Sequence, residues 1–132
     1  MNLQEVRTGL ANALHAIPNL RIYPTVPESP QVPCAILVPE SIRYGQTFDG
    51  AANVRVTIHV LAASINAEGG QRLLDEYVAD EGNQSIAKAI EDDPTLGGQC
   101  QYAQVVEMRS YGVMGDTTRY YSAELSVDVW AQ

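Results

Sequence analysis

The chain has 132 residues, 45 % of them apolar, with 16 acidic and 8 basic side chains and a net charge of −8. That length suits one domain with a core of its own, too short for two ordinary domains and large enough to fold without metal or disulfide. The acidic balance, with Lys88 as the only lysine, excludes a grip on nucleic acid and docking to anionic lipid, both of which need a basic face.

Cys34 and Cys100 stand alone, without CxxC or metal-ligand spacing. No signal-peptide pattern is present, and no apolar run approaches the roughly 20 residues of a membrane helix. The expectation is a single domain over 1–132, folded in a cytoplasm with both thiols reduced.

Leu3, Val6, Leu10, Leu14 and Ile17 recur at steps of three and four and predict an amphipathic helix over 3–17, stopped by Pro18 and Asn19. Pro24, Pro27, Pro30 and Pro33 then recur every third residue, the period of polyproline II. The proline-rich 18–33 segment is expected to be extended, its 23–33 part spanning on the order of 30 Å. It would serve as a surface connector or as an arm lying on a neighbouring subunit.

Cys34-Ala35-Ile36-Leu37-Val38 reads as a short apolar strand closed by Pro39, and Phe48-Asp49-Gly50 as a turn. Over 53–61, Val54, Val56, Ile58 and Val60 alternate with Arg55, Thr57 and His59, the pattern of a half-buried strand in an antiparallel sheet. The 62–82 stretch turns helical, with Leu73, Leu74, Tyr77 and Val78 inward and Gly82 at its end. A short third helix follows a cap at Asn83 or Ser85, with Ile86, Ala89 and Ile90 inward. Asp93-Pro94 opens a further turn and Gly97-Gly98 breaks it.

The last third, 102–113 and 117–130, reads as a hairpin turning at Met114-Gly115-Asp116. Its arms exceed the usual strand length of about five or six residues, so the hairpin is expected to project beyond the core. The fold class is α+β: an antiparallel sheet with two to three helices on one face and a long C-terminal hairpin.

Catalytic signals are thin. His15 lies on a helix flank and His59 on the polar face of a strand; no motif supports a Cys34/His59 dyad. Glu91, Asp92 and Asp93 form the densest acidic run, without a calcium-loop pattern, and read as a solvated face. Gly69-Gly70 and Gly97-Gly98 match no phosphate loop. No cofactor and no metal is expected.

The order of elements, with particular stretches, resembles the tail terminator proteins of long-tailed, non-contractile (lambda-like) bacteriophages. The stretches are the helix over 3–17, the prolines leading into Cys34-Ala35-Ile36-Leu37-Val38, and Tyr44-Gly45-Gln46-Thr47-Phe48-Asp49-Gly50. Further along come the 54–61 strand, Leu73-Leu74-Asp75-Glu76-Tyr77, Gly82-Asn83-Gln84-Ser85-Ile86 and Ile90-Glu91-Asp92-Asp93-Pro94-Thr95-Leu96-Gly97-Gly98. The hairpin with Tyr120-Tyr121-Ser122-Ala123 completes the set, which covers nearly the whole chain.

The resemblance implies a non-enzymatic virion protein at the head–tail interface. It would form a homo-oligomeric, hexameric ring on the tail tube protein, end tube polymerisation and present a surface to the head completion or connector protein. DNA would pass through without specific binding, and no membrane is involved. Val113, Met114, Gly115 and Asp116 at the hairpin tip, with Tyr44 and Phe48, are the candidate subunit or tube contacts. Asp80, Glu81, Glu91, Asp92 and Asp93 are the candidate channel lining, because acids at helix ends oppose the helix dipole and would not hold phosphate. The alternatives are another small head–tail connector or neck protein, and a small cytoplasmic enzyme or regulatory subunit using Cys34 or the 91–93 acids.

Overall fold

Asn2 starts the first helix by accepting the backbone N–H groups of Gln4 and Glu5 on its side-chain oxygen, at 2.9 and 3.4 Å. The computed structural model describes residues 2–45, 52–115 and 119–131. Among them the elements run α1 (Leu3–Leu14), β1 (Arg21–Tyr23), β2 (Cys34–Arg43), β3 (Ala52–Ser64), α2 (Gly70–Val78), α3 (Ile86–Glu91), β4 (Tyr102–Met114) and β5 (Tyr120–Ala131). The fold is α+β, with β4 and β5 forming the C-terminal hairpin.

The five strands make one sheet in the order β1-β2-β3-β5-β4. Every pairing is antiparallel except β1 with β2, so the sheet is mixed rather than purely antiparallel. The parallel pair follows from the proline segment. Instead of running out as an extended arm, 24–33 folds back so that Cys34 lies beside Arg21. Arg21 donates its N–H to the Pro33 carbonyl at 3.1 Å, and the Gln31 N–H reaches the Tyr23 hydroxyl at 3.3 Å. Proline fixes φ but leaves ψ free, and these contacts bend the segment into a return loop. Its Val32 packs with Tyr23 over Cys34, Ile36 and Leu61.

Three other boundaries differ from expectation. The first helix stops at Leu14, and Ala16 and Ile17 continue only as tight turns bonded to Ala13 and Leu14. Pro39 does not close β2, which runs on to Arg43 with a bulge between Pro39 and Ser41. A proline is tolerated there because β1 pairs only with Cys34, Ala35 and Ile36, leaving β2 an outer strand at Pro39. Residues 62–64 belong to β3 rather than to a helix, since Ala63 and Ser64 pair with Tyr121 and Tyr120. The following helix begins at Gly70 and ends at Val78, four residues before Gly82.

All three helices cover the same face. Val6, Leu10 and Leu14 of α1, Leu74 and Tyr77 of α2, and Ile86 and Ile90 of α3 are buried against Val54, Val56, Ile58 and Val60 of β3 and Leu125, Val127 and Val129 of β5. Each such aliphatic side chain contributes roughly 1.5–3 kcal/mol by leaving water. Ser85 caps α3, its hydroxyl accepting the Lys88 N–H at 3.0 Å.

The hairpin does not stand out as a free arm. β5 is paired with β3 from Ala131 to Tyr120, so both hairpin strands lie within the sheet. Their length matches the 13 residues of β3.

Candidate functional site

The face opposite the helices is polar at its middle, and toward β1 it carries the small apolar cluster of Cys34, Ile36 and Leu61 under Tyr23 and Val32. Arg109 of β4 stands at its centre and reaches four strands. Its guanidinium donates to Glu107 and Ser126 at 3.0 Å, and to Glu40 and Thr57 at 3.5 Å, and lies 3.6 Å from Glu124. Alongside, Arg55 holds Asp128 through two hydrogen bonds of 2.9 and 3.2 Å, and His59 lies 3.4 Å from Glu124. The Thr57 hydroxyl donates to Glu40 at 3.0 Å; that bond first, and then the nearby arginines, hold the Glu40 carboxyl below its usual range. Cross-strand pairing of opposite charges favours this register of the sheet.

Apolar exposure is concentrated at the sheet's two lateral edges. The exposed large hydrophobic side chains among the described residues are Val26, Tyr44, Tyr102, Val106, Met108, Tyr111, Val113 and Met114. Six of these eight lie on β4, the outermost strand, unpaired on its far side. Val26 follows β1 and Tyr44 follows β2, so these two flank the opposite edge.

Those of the expected contact residues that the structure describes lie at these edges. Tyr44 is 75 % exposed, and Val113 and Met114 are half-exposed at the end of β4. Gly115 follows with φ at +113°, a conformation that favours glycine. Phe48 and Asp116 lie outside the described residues. Tyr102, Val106, Met108 and Tyr111 were not anticipated as contact residues. The broken alternation of β4, beside the clean alternation of β5, is the signal that could have found them. Two bulges, between Val105 and Glu107 and between Arg109 and Gly112, cause the break.

Four of the five expected channel acids converge. Asp80, Glu81, Glu91 and Asp92 line a depression of about 620 Å³ with Gly82 and Lys88. Asp92 is paired with Lys88 at 3.3 Å, one helical turn away. Asp93 is separate: its carboxylate accepts the Gly97 N–H at 3.0 Å and closes the turn after α3. Asp80 and Glu91 also border a groove of about 450 Å³ between α3 and β4, whose other lining includes Ala87, Pro94, Tyr102 and Gln104.

The candidate nucleophile is not activated. Cys34 is fully buried, and burial pushes its thiol up to about 11, away from the thiolate that chemistry would need. In the sheet register it sits opposite Leu61, whereas His59 sits opposite Ile36 and against Glu124. Burial likewise raises the Cys100 thiol to about 11. His15 is exposed at the end of α1. Among the described residues, no three His, Cys, Asp or Glu side chains are grouped to hold a metal, and no helix is long and apolar enough to cross a membrane.

No known protein family matches this chain, and no curated protein is similar to it in sequence.

Proposed function

We propose that the protein is a phage tail terminator: a subunit of a hexameric ring that caps the tail tube, ends its polymerisation and offers the head connector a surface. The observation that carries this reading is the placement of the exposed apolar side chains on two opposite edges of one sheet. Scattered apolar residues need no explanation, but a row of them along an unpaired outer strand marks a surface that another protein covers. The sequence resemblance supplies the kind of assembly, and the α+β architecture with helices on one face agrees with it.

The acids divide between two surfaces in this reading. Glu81 and Asp92, in the depression at the α2–α3 end, would turn toward the DNA path, where carboxylates repel phosphate and do not slow its passage. Asp80 and Glu91 line that depression too, but they also border the β4 groove and in this reading belong with that edge.

The test is tube assembly. Co-expressed with a tail tube protein of a lambda-like phage, the chain should yield tubes of bounded length with a ring of density at one end in electron micrographs. Tubes of unchanged length, with no density at either end, would defeat the reading.

A further inference from the structure

The two lateral edges of the sheet differ in charge as well as sharing exposed apolar groups. On the β4 side, Asp80 and Glu91 have no cationic partner within 4 Å among the described residues. On the β1–β2 side, Arg21 and Arg43 have no carboxylate partner among them; Arg21 is bonded to the Gln31 side chain instead. Among the described residues, one edge thus offers unpaired carboxylates beside Tyr102, and the other offers Arg21 and Arg43, the latter next to Tyr44 in the chain, against Glu28 as the unpaired carboxylate of the β1–β2 connection.

We propose that the occupant of the β4 edge is a second copy of this chain, docked head-to-tail through its β1–β2 edge. A two-fold contact, β4 against β4, would set carboxylates against carboxylates, which is costly at an interface. The head-to-tail contact sets them against arginines and covers the apolar groups of both edges at once. Every copy then uses each edge once, which is the heterologous arrangement that closes into a ring when the rotation permits. The proposal rests on the tail-terminator reading for the closed ring and on the edges alone for the contact.

Side chains carry this contact rather than an unbroken backbone ladder. Pro39 supplies no N–H on the outer part of β2, and the two bulges of β4 interrupt its outer row of donors and acceptors. Both features oppose indiscriminate strand addition while leaving the side chains free to pair.

Charge reversal tests the pairing of unlike edges. Arg43→Glu sets a carboxylate against the acidic edge, and Glu91→Arg sets a cation against Arg43; both side chains are exposed, so circular dichroism and melting should match the parent. Sedimentation velocity across protein concentration should show each single variant associating roughly tenfold more weakly than the parent or worse. An equimolar mixture of the two variants should recover association, because each then meets an edge of opposite charge. A parent that stays monomeric at every concentration, or an Arg43→Glu variant that associates like the parent, overturns the proposal, as does a mixture no better than its components. Recovery in the mixture, without any effect of the parent on tail tube length, upholds the contact and removes the tail reading alone.

Discussion

Gly9 of α1 lies so close to Leu96 that a β-carbon at position 9 would come within 2.8 Å of the Leu96 Cβ and 3.0 Å of its carbonyl oxygen. The helix meets the turn after α3 backbone to backbone at this point. Leu96, with φ at +51°, is fully buried in the contact. Alanine in place of glycine gains about 1 kcal/mol of helix propensity. Overpacking against a backbone that cannot withdraw costs about 1–3 kcal/mol. Gly9→Ala should therefore lower stability on balance, read as an earlier urea midpoint with an unchanged slope. A later midpoint would mean that the turn yields.

Alkali should destabilise the protein through two buried acids, Cys34 and Tyr77, and the partly buried Cys100. Burial raises Cys34 and Cys100 from 9.0 to about 11, and raises Tyr77 from 10.0 to about 12, with the Glu76 charge adding to the tyrosine shift. Each folded group holds its proton more tightly than its unfolded counterpart. The stabilisation is complete below pH 9 and is lost as pH rises through 11 and toward 12. Thermal melts should fall steadily above pH 9, and Tyr77→Phe should flatten the upper part of that fall. Melts level from pH 8 to 11 would contradict the burial of these groups.

Thiol chemistry should separate the two cysteines. Cys34 is enclosed, whereas Cys100 is partly exposed with its Sγ 3.6 Å from the Pro94 carbonyl oxygen. A disulfide reagent at neutral pH should label Cys100 slowly and Cys34 only as fast as the native state opens. The Cys34→Ser, Cys100→Ser double variant should still fold, losing about 2 kcal/mol, mostly at Cys34. Rapid labelling of Cys34 in the folded chain would show that the 24–33 loop leaves it open.

Arg109 should matter less for stability than its many partners suggest. Its side chain is 37 % exposed, so solvent screens each contact. Arg109→Ala should lower stability only slightly, and more at low salt than at high. Arg109→Lys should recover little of it, because one ammonium cannot reach Glu107, Ser126 and Glu40 together. Chemical denaturation at two salt concentrations measures both effects; a salt-independent loss would point to packing of the arginine stem instead.

Met114→Asp should leave folding within about 0.5 kcal/mol of the parent, since Met114 is 48 % exposed. It should weaken self-association or tail joining if a partner covers the end of β4. Unimpaired association and unimpaired particle assembly would free this position from any interface.

Local pattern determined much of this molecule. The step of three and four in Leu3, Val6, Leu10 and Leu14, and the alternation through Val54, Val56, Ile58 and Val60, each state a period and a buried face, and the structure buries those faces. Ser85 as a cap and the closing of the turn by Asp93 were legible because capping depends on residues within one turn. The acids at 80–81 and 91–92, and Tyr44, Val113 and Met114, could be named from the sequence, but the meeting of the two acid pairs at the α2–α3 end could not, because it joins positions about ten residues apart.

Tertiary structure decided what depends on partners distant in the chain. The spacing of the prolines states a helical period, but the parallel pairing of β1 with β2 bends the 24–33 segment back on its own sheet. Arg109 looks like any strand arginine until β2, β3 and β5 bring Glu40, Thr57 and Ser126 to it. Strand order cannot be read from periodicity, since period two fits an edge strand and a central one alike. It is the order β1-β2-β3-β5-β4 that leaves β4 outermost, turns its Tyr102, Val106 and Met108 outward, and sets its carboxylate-lined edge at the far side of the sheet from Arg21 and Arg43.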